Sequence, residues 1–233
     1  MTDFLEQFLW IIYPYAALAA LIGGIWYRYS RRQLTITSKS SELLESRALK
    51  VGSQLFHWGI IFVLLGHLDL LVPVSVFHRL GISNALYHTY AGILGGFFGI
   101  VAISGLIILI GRRLIYDRVF TTTELSDFFV LVLLAVQVAI GLSLTLGYDT
   151  IYGPFPYRYT IGAWFRGLLT LRPDISHMVG VPLIFQIHVL IGFLLFAVTP
   201  YTRLIHIISA PVKYLVRKPI VRRSNVESRY GKM

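Results

Sequence analysis

Seven histidines stand in this chain of 233 residues, and four of them fall inside long apolar stretches. His57 and His67 share one stretch, and His188 and His206 share another much later in the chain. An ionisable side chain in such a setting is costly and marks a functional position by default. One histidine of this kind reads equally well as a neutral ring bonded to a neighbouring helix. Two stretches with two each point instead to ligation. Cysteine is absent, which excludes disulfides, Cys-ligated iron–sulfur clusters and thioether attachment of haem. Histidine, carboxylate and oxygen are left to hold any metal or cofactor.

Flanking residues sort the four histidines by depth. His57 lies seven residues after Lys50 and His206 seven before Lys213, while His67 lies six before Pro73 and His188 six after Pro182. Antiparallel helices then pair His57 with His206 and His67 with His188. The helical rise gives about 15 Å between His57 and His67 and about 27 Å between His188 and His206, so the depths do not match perfectly. Tilt and a kink at Pro200 absorb part of the difference. On a continuous helix His188 and His206 share a face, whereas His57 and His67 are turned by about 80°. Two histidines at one depth on facing helices clamp a haem iron axially, and with both axial positions filled the haem favours electron transfer over oxygen chemistry. Two haems stacked this way form an electron path across a bilayer. Zinc fits less well, because it takes about four ligands at one point.

The elements that position these residues follow from hydropathy. The chain is 56% hydrophobic and only 14% charged, with a mean hydropathy of +0.70, and several apolar runs reach the roughly 20 residues that a bilayer span needs. The expected fold is all-α: one transmembrane domain over residues 1–233, with helices near 4–27, 51–72, 87–110, 125–146 and 181–209 and a basic tail over 210–233. The first apolar run follows Asp3 and contains Glu6, and no small-residue cleavage site comes after it. It reads as a retained helix rather than a cleaved leader. Trp10, Tyr27 and Trp164 read as parts of an interfacial aromatic belt.

The net charge of +10 does not indicate nucleic acid, because the basic residues lie between and after the apolar runs. The first, third and last connecting segments hold 6, 3 and 8 Lys or Arg, against 1 and 3 in the second and fourth, a split of 17 against 4. Basic residues mark the cytoplasmic side. The N-terminus is therefore expected outside and the C-terminus in the cytoplasm, with His57 and His206 near the inner face and His67 and His188 near the outer one. Gly59 and Gly66 lie beside the histidines of the second helix, and Gly92, Gly95, Gly96, Gly99 and Gly105 run along the third. They make room for a flat cofactor or serve close helix packing.

The run SSELLESRALKVGSQLFHWGIIFVLLGH and the later FQIHVLIGFLLFAVTPYTRLIHIISAPVKYL resemble the second and last helices of the respiratory nitrate reductase gamma subunit, a cytochrome b-type membrane anchor. The opening IYPYAA and the GRRL–TTTELSD join fit the same family, so the resemblance covers nearly the whole chain. It implies two haem b groups, the inner one on His57 and His206 and the outer one on His67 and His188. It implies a prokaryotic cell-membrane subunit that oxidises quinol, menaquinol or ubiquinol, near the outer haem. Electrons then pass to a cytoplasmic iron–sulfur (beta) subunit and on to a molybdenum (alpha) subunit that reduces nitrate. Two alternatives stand beside this reading. One is the same anchor serving a sulfur-compound or heterodisulfide reductase; the other is a haem-free transporter or anchor.

Some family members carry a lysine near the start of the third helix, at the quinol site, where this chain reads Leu86-Tyr87-His88-Thr89. The quinol site is therefore expected around Gly66, Tyr87 and His88. His88 either takes a quinol proton, since its ordinary pKa lies near working pH, or is a solvated interfacial residue. Asp69 either relays a proton outward or simply reaches the interface. Arg112 and Arg203, at the inner boundary, either pair with haem propionates or anchor the topology. His78 and His177 read as loop residues.

Overall fold

The computed structural model describes residues 2–32 and 41–208, and every regular element among them is helical. Five helices are long and apolar enough to cross a membrane: α1 (Phe4–Arg31), α2 (Arg47–Leu71), α3 (Asn84–Ile115), α4 (Leu125–Tyr152) and α5 (Leu183–Tyr201). The apolar window of each is only 17% to 28% buried. Ile93, Phe97, Ile107 and Trp26 are among the many large apolar side chains left on the outside. That inversion suits a bundle whose solvent is lipid. The basic tail from Ala210 onward lies outside the described residues.

Local chemistry sets the helix ends. The Ser83 hydroxyl accepts from the Leu86 amide and opens α3. Glu124 and Asp127 form a reciprocal capping box that opens α4, satisfying amides that a helix start leaves unpaired. In α1, Pro14 offers no N–H to the carbonyl four residues back, at Trp10. That carbonyl accepts instead from the indole of Trp164 at 2.9 Å, and the preceding Phe8–Ile12 turn is π-helical. Trp164 belongs to a short helix, Ile161–Leu169, folded in from the connection between α4 and α5. Trp164 is wholly buried and Trp10 nearly so, their rings edge to face. They belong to the core, not to the interfacial belt expected for them, because the freed backbone acceptor draws the indole inward.

The helices pack in the order α2–α3–α4–α5–α1, each on the next. The tightest seam joins α2 to α3. A Cβ on Gly59 would lie 2.5 Å from the Ala102 amide, and one on Gly105 would lie 2.3 Å from the Phe56 amide. These two glycines exist for backbone approach. Gly96 and Gly99 similarly receive Leu146 and Leu142 of α4. Gly66 and Gly92, by contrast, face open space.

The last span differs from the continuous helix expected over 181–209. Its α-helical part is Leu183–Val198, followed by a 3-10 turn at Thr199–Tyr201, an extended Thr202, and a second 3-10 turn at Arg203–Ile207. Pro200 removes the N–H that would continue the helix, and Gly24 of α1 closes on the proline ring, with no room for a Cβ. His206 therefore stands on a separate turn. The shared helix face and the spacing of about 27 Å do not apply to it.

Candidate functional site: two facing histidine pairs

Two pairs of imidazoles face each other between α2 and the last span. The ring centres of His57 and His206 are 6.0 Å apart, with planes at 65°. Those of His67 and His188 are 6.1 Å apart, at 30°. Both pairings expected from the flanking residues are brought together. A metal ion held from both sides needs about 2 Å to each bonding nitrogen, which sets ring centres roughly 6 Å apart. The chain thus presents two facing imidazole pairs with the spacing that axial ligation needs. Among the described residues no three His, Asp or Glu converge on one point, so each clamp offers two protein ligands. A macrocycle that brings its own equatorial donors is what such a pair suits.

The protonation of three rings follows from their neighbours. His57 Nδ1 lies 2.7 Å from the Ser53 carbonyl, His67 Nδ1 lies 2.7 Å from the Val63 carbonyl, and His206 Nδ1 meets the Arg203 carbonyl. A carbonyl oxygen only accepts, so each Nδ1 carries the proton and each Nε2 keeps a free lone pair. This is the arrangement that orients a metal-ligating imidazole. His188 departs from it, with an Nδ1 that is buried and has no partner. Its place is set from α4 instead. The Gln137 amide donates to the His188 carbonyl at 3.1 Å, and a Cβ on Gly141 would lie 3.2 Å from His188 Cε1.

α2 carries His57 and His67, α5 carries His188, and the turn after α5 carries His206; α2 and α5 are not among the closely packed helix pairs. His57 and His67 are exposed, and His188 and His206 are half-buried. Both helices pack mainly onto other partners, α2 on α3 and α5 on α1 and α4. Haem fits these residues on two counts, the ring spacing of both pairs and the free Nε2 atoms of His57, His67 and His206; at His188 the Gln137 amide nitrogen lies 3.4 Å from Nε2.

The two arginines expected at the propionates have other partners. Arg112 is 3% exposed. Its donors go to the Glu45 carboxylate at 2.7 Å, the Ser41 hydroxyl at 3.0 Å, and the Ser41 and Glu45 carbonyls. It locks the segment before α2 onto the end of α3, and these partners account for its burial. Burial raises the Glu45 carboxyl pKa, but hydrogen bonds from Ala48, Arg112 and Leu49 outweigh it and hold the group below its ordinary value. Arg203 donates to buried Asp127, which Arg113 also approaches at 4.0 Å. This ties α3, α4 and the His206 turn together.

At the other end, Tyr87 donates to Asp69, and the Tyr157 hydroxyl lies 3.4 Å from the same carboxylate oxygen. The Arg158 guanidinium lies 3.7 Å from the centre of the Tyr87 ring and 4.2 Å from that of Phe77, with its Nε 3.8 Å from Asp69. Burial, reinforced by the Asp69 carboxylate, pushes the Tyr157 phenol above its ordinary pKa. Arg166 reaches the Leu70 carbonyl at 2.9 Å and pins the short helix to the end of α2. Tyr87 and Asp69 are thus parts of a buried network. His88 stands apart from it, its ring 6.0 Å from that of Tyr157 and its other side lining an open groove. Gly66 lies beside His67, and a Cβ added there would meet nothing within 4 Å. His78, expected in a loop, lies on the short helix Val74–Arg79 and its Nε2 is 3.2 Å from Asn84 Oδ1.

Sequence reasoning missed Gln137, Gly141, Asp127, Tyr157 and Arg158. A signal for the first two exists: Gln137 is the one polar residue between Asp127 and Ser143 of α4, and Gly141 follows one turn later on the same face.

Comparison with known proteins agrees with this architecture. The sequence model of the nitrate reductase gamma subunit family matches residues 6–225. The nitrate reductase gamma chain of Bacillus subtilis is 45% identical over 219 residues, covering 93% of this chain and 97% of that protein. The respiratory nitrate reductase 1 gamma chain of Escherichia coli is 34% identical over 217 residues, covering 93% and 96%. A nitrate reductase-like protein NarX of Mycobacterium tuberculosis is 38% identical over 97% of this chain, which spans 35% of that longer protein.

Proposed function

Since the chain belongs to the nitrate reductase gamma subunit family, we propose that it is the quinol-oxidising dihaem subunit of such a reductase. The family supports a multi-pass membrane anchor of nitrate reductase. The further step to electron transfer rests on one observation: two imidazole pairs with ring centres 6.0 and 6.1 Å apart at opposite ends of the same helix gap.

In this reading His57 and His206 hold the inner haem, and His67 and His188 the outer one. Bound haem supplies a one-electron carrier at each position. The chain's own residues orient the ligands. The Ser53, Val63 and Arg203 carbonyls fix three rings by accepting from Nδ1, and the Gln137–Gly141 face of α4 seats the fourth. The apolar spans keep water from the path between the pairs.

The Lys and Arg bias puts the His67–His188 end outside and the C-terminus in the cytoplasm. Quinol releases two electrons and two protons. His88, at the outer end of α3, receives a hydroxyl proton, because a ligating imidazole has no free lone pair for it. Two open places flank that end, one beside Gly66 and one beyond His88. Tyr87, bound to Asp69, braces the site from behind. Arg203, whose carbonyl meets His206 Nδ1, would be the arginine to pair with a propionate of the inner haem. Electrons travelling inward while protons leave outside separate charge, worth about 2.3 kcal/mol per charge for each 100 mV. The cytoplasmic partners are an iron–sulfur subunit and a molybdenum subunit, docked beside the inner pair.

The test uses membranes containing the whole complex. A reduced quinol analogue should develop a b-type absorbance, and nitrate should then discharge it. Absence of any b-type absorbance contradicts the haem reading. Absorbance that nitrate leaves untouched, but a sulfur-compound acceptor discharges, moves the anchor to another reductase.

A further inference from the structure

His57, His67 and His206 each direct an Nδ1–H to a backbone carbonyl earlier on their own segment, that of Ser53, Val63 or Arg203. His188 does not. Its Nδ1 is buried and unpaired, although Ile184 stands one turn back along α5, as Ser53 and Val63 do along α2. The side chain that meets His188 from α4 is Gln137. Its amide nitrogen lies 3.1 Å from the His188 carbonyl and 3.4 Å from His188 Nε2, while its Oε1 is buried and has no partner. Two residues in contact thus each hold one unmatched polar atom, a ring nitrogen on one and an amide oxygen on the other. Such atoms are costly where water does not reach them. A neutral imidazole carries one proton, and a ring that bonds a metal through Nε2 carries it on Nδ1. Engaging Nε2 also ends the amide contact there, because the metal takes the lone pair that the amide faces. Nδ1–H and Oε1 are then the donor and the acceptor left to be matched.

We propose that Gln137 is the positioning partner of His188, accepting from its Nδ1–H through Oε1 and thereby setting the reduction equilibrium of the haem held by His67 and His188. The inference rests on the dihaem reading and assigns a residue that acts through a ligand, not one that touches iron. An acceptor on the second ring nitrogen fixes the ring and makes the ligand more basic. A more basic ligand favours the oxidised iron, and hydrogen bonding of this kind is one of the levers a protein has on haem potential. The surroundings of Gln137 fit the role. It is the one polar residue between Asp127 and Ser143 of α4, and Gly141, one turn later, gives the ring room, with an added Cβ only 3.2 Å from His188 Cε1. An amide that served only to tie α4 to α5 would need its nitrogen alone and would leave Oε1 buried without use. Gln186 offers the contrast, an amide on α5 whose nitrogen bonds the Val181 carbonyl at 2.8 Å.

Redox titration of the purified haem-loaded complex, followed by absorbance, tests this. Gln137→Met keeps the length of the side chain and removes both polar atoms. It should shift the haem that His188→Ala removes toward its reduced form by about threefold or more, about 28 mV for a one-electron couple. The haem on His57 and His206 should move by less than about twofold. Gln186→Met, the control for loss of an amide that bonds backbone, should shift neither haem by more than that. A smaller shift at the His67–His188 haem, or an equal shift at both haems, overturns the proposal. A second measurement uses wild type and does not depend on any variant keeping its haem. With heavy carbon in glutamine and heavy nitrogen in histidine, the fully reduced protein, whose low-spin haems are diamagnetic, should show a solid-state magnetic resonance contact between a histidine Nδ1 and a glutamine side-chain carbonyl. Absence of that contact overturns the proposal whatever Gln137→Met does. Purified wild type that holds no haem overturns the dihaem reading itself.

Discussion

Arg203 donates to Asp127 across the junction between the start of α4 and the turn that follows α5, and the Arg203 carbonyl in turn accepts from His206 Nδ1. The position of one clamp ring is therefore set by a carboxylate on another helix. Asp127 is 4% exposed, while the Arg203 side chain is 24% exposed, which reduces what the pair contributes. Asp127→Asn should cost about 1–3 kcal/mol of stability. It should lower haem occupancy at the His57–His206 pair while sparing the other. Selective loss at His67–His188, read by absorbance and haem content, would contradict the link.

At the other clamp the seat is Gly141. A methyl group there meets the His188 ring at 3.2 Å, which the ring relieves by moving a few tenths of an ångström. Gly141→Ala should shift the electron paramagnetic resonance signal of one low-spin haem and leave the second in place. Gly141→Val should lose that haem. Unchanged signals in both variants would show that α4 does not seat His188.

Arg158 is 2% exposed, and its Nε and Nη2 find no hydrogen-bond partner. Its stability comes from the two aromatic faces and from Asp69. Arg158→Leu leaves the Asp69 carboxylate buried without its nearest cation and should lower stability by about 2–4 kcal/mol. A thermal unfolding midpoint equal to wild type would show that the network does not hold the outer connection.

The Glu45 carboxyl is held below its ordinary pKa. A group depressed on folding contributes stability that is present above its unfolded pKa and is lost as pH falls through the folded one. Acidification below the ordinary glutamate range, about pH 4.3, should therefore loosen the 41–45 segment from Arg112. Limited proteolysis at those residues should increase in acid in wild type, and Glu45→Gln should be cut equally at both pH values. A pH-independent wild type would refute the assignment.

The axial order of the clamps was legible in the chain because depth is one-dimensional: Lys50, Pro73 and Pro182 mark helix ends, and residue counts from them convert to height. The five spans were legible for the same reason. Lateral relations were not. Nothing in the spacing of Pro14 and Trp164 announces that one frees a carbonyl for the other. The break at Pro200 and Thr202, which lifts His206 onto its own turn, removes the helix face that periodicity implies. Tyr87 reads as a quinol contact because it falls in the stretch where some family members carry a lysine, yet Tyr157 and Arg158, some 70 residues later in the chain, enclose it. Arg112 reads as a boundary arginine, and only the fold shows that Ser41 and Glu45 take its donors.

The central claim is that the chain clamps two haems, and the count of haems in the purified protein and its histidine variants tests it most directly. Wild type should hold two per chain, both low-spin. His67→Ala and His188→Ala should each leave one haem, the same one in both. His57→Ala and His206→Ala should each leave the other. A wild-type protein without haem, or a His67→Ala and a His206→Ala variant that retain the same haem, would contradict the account.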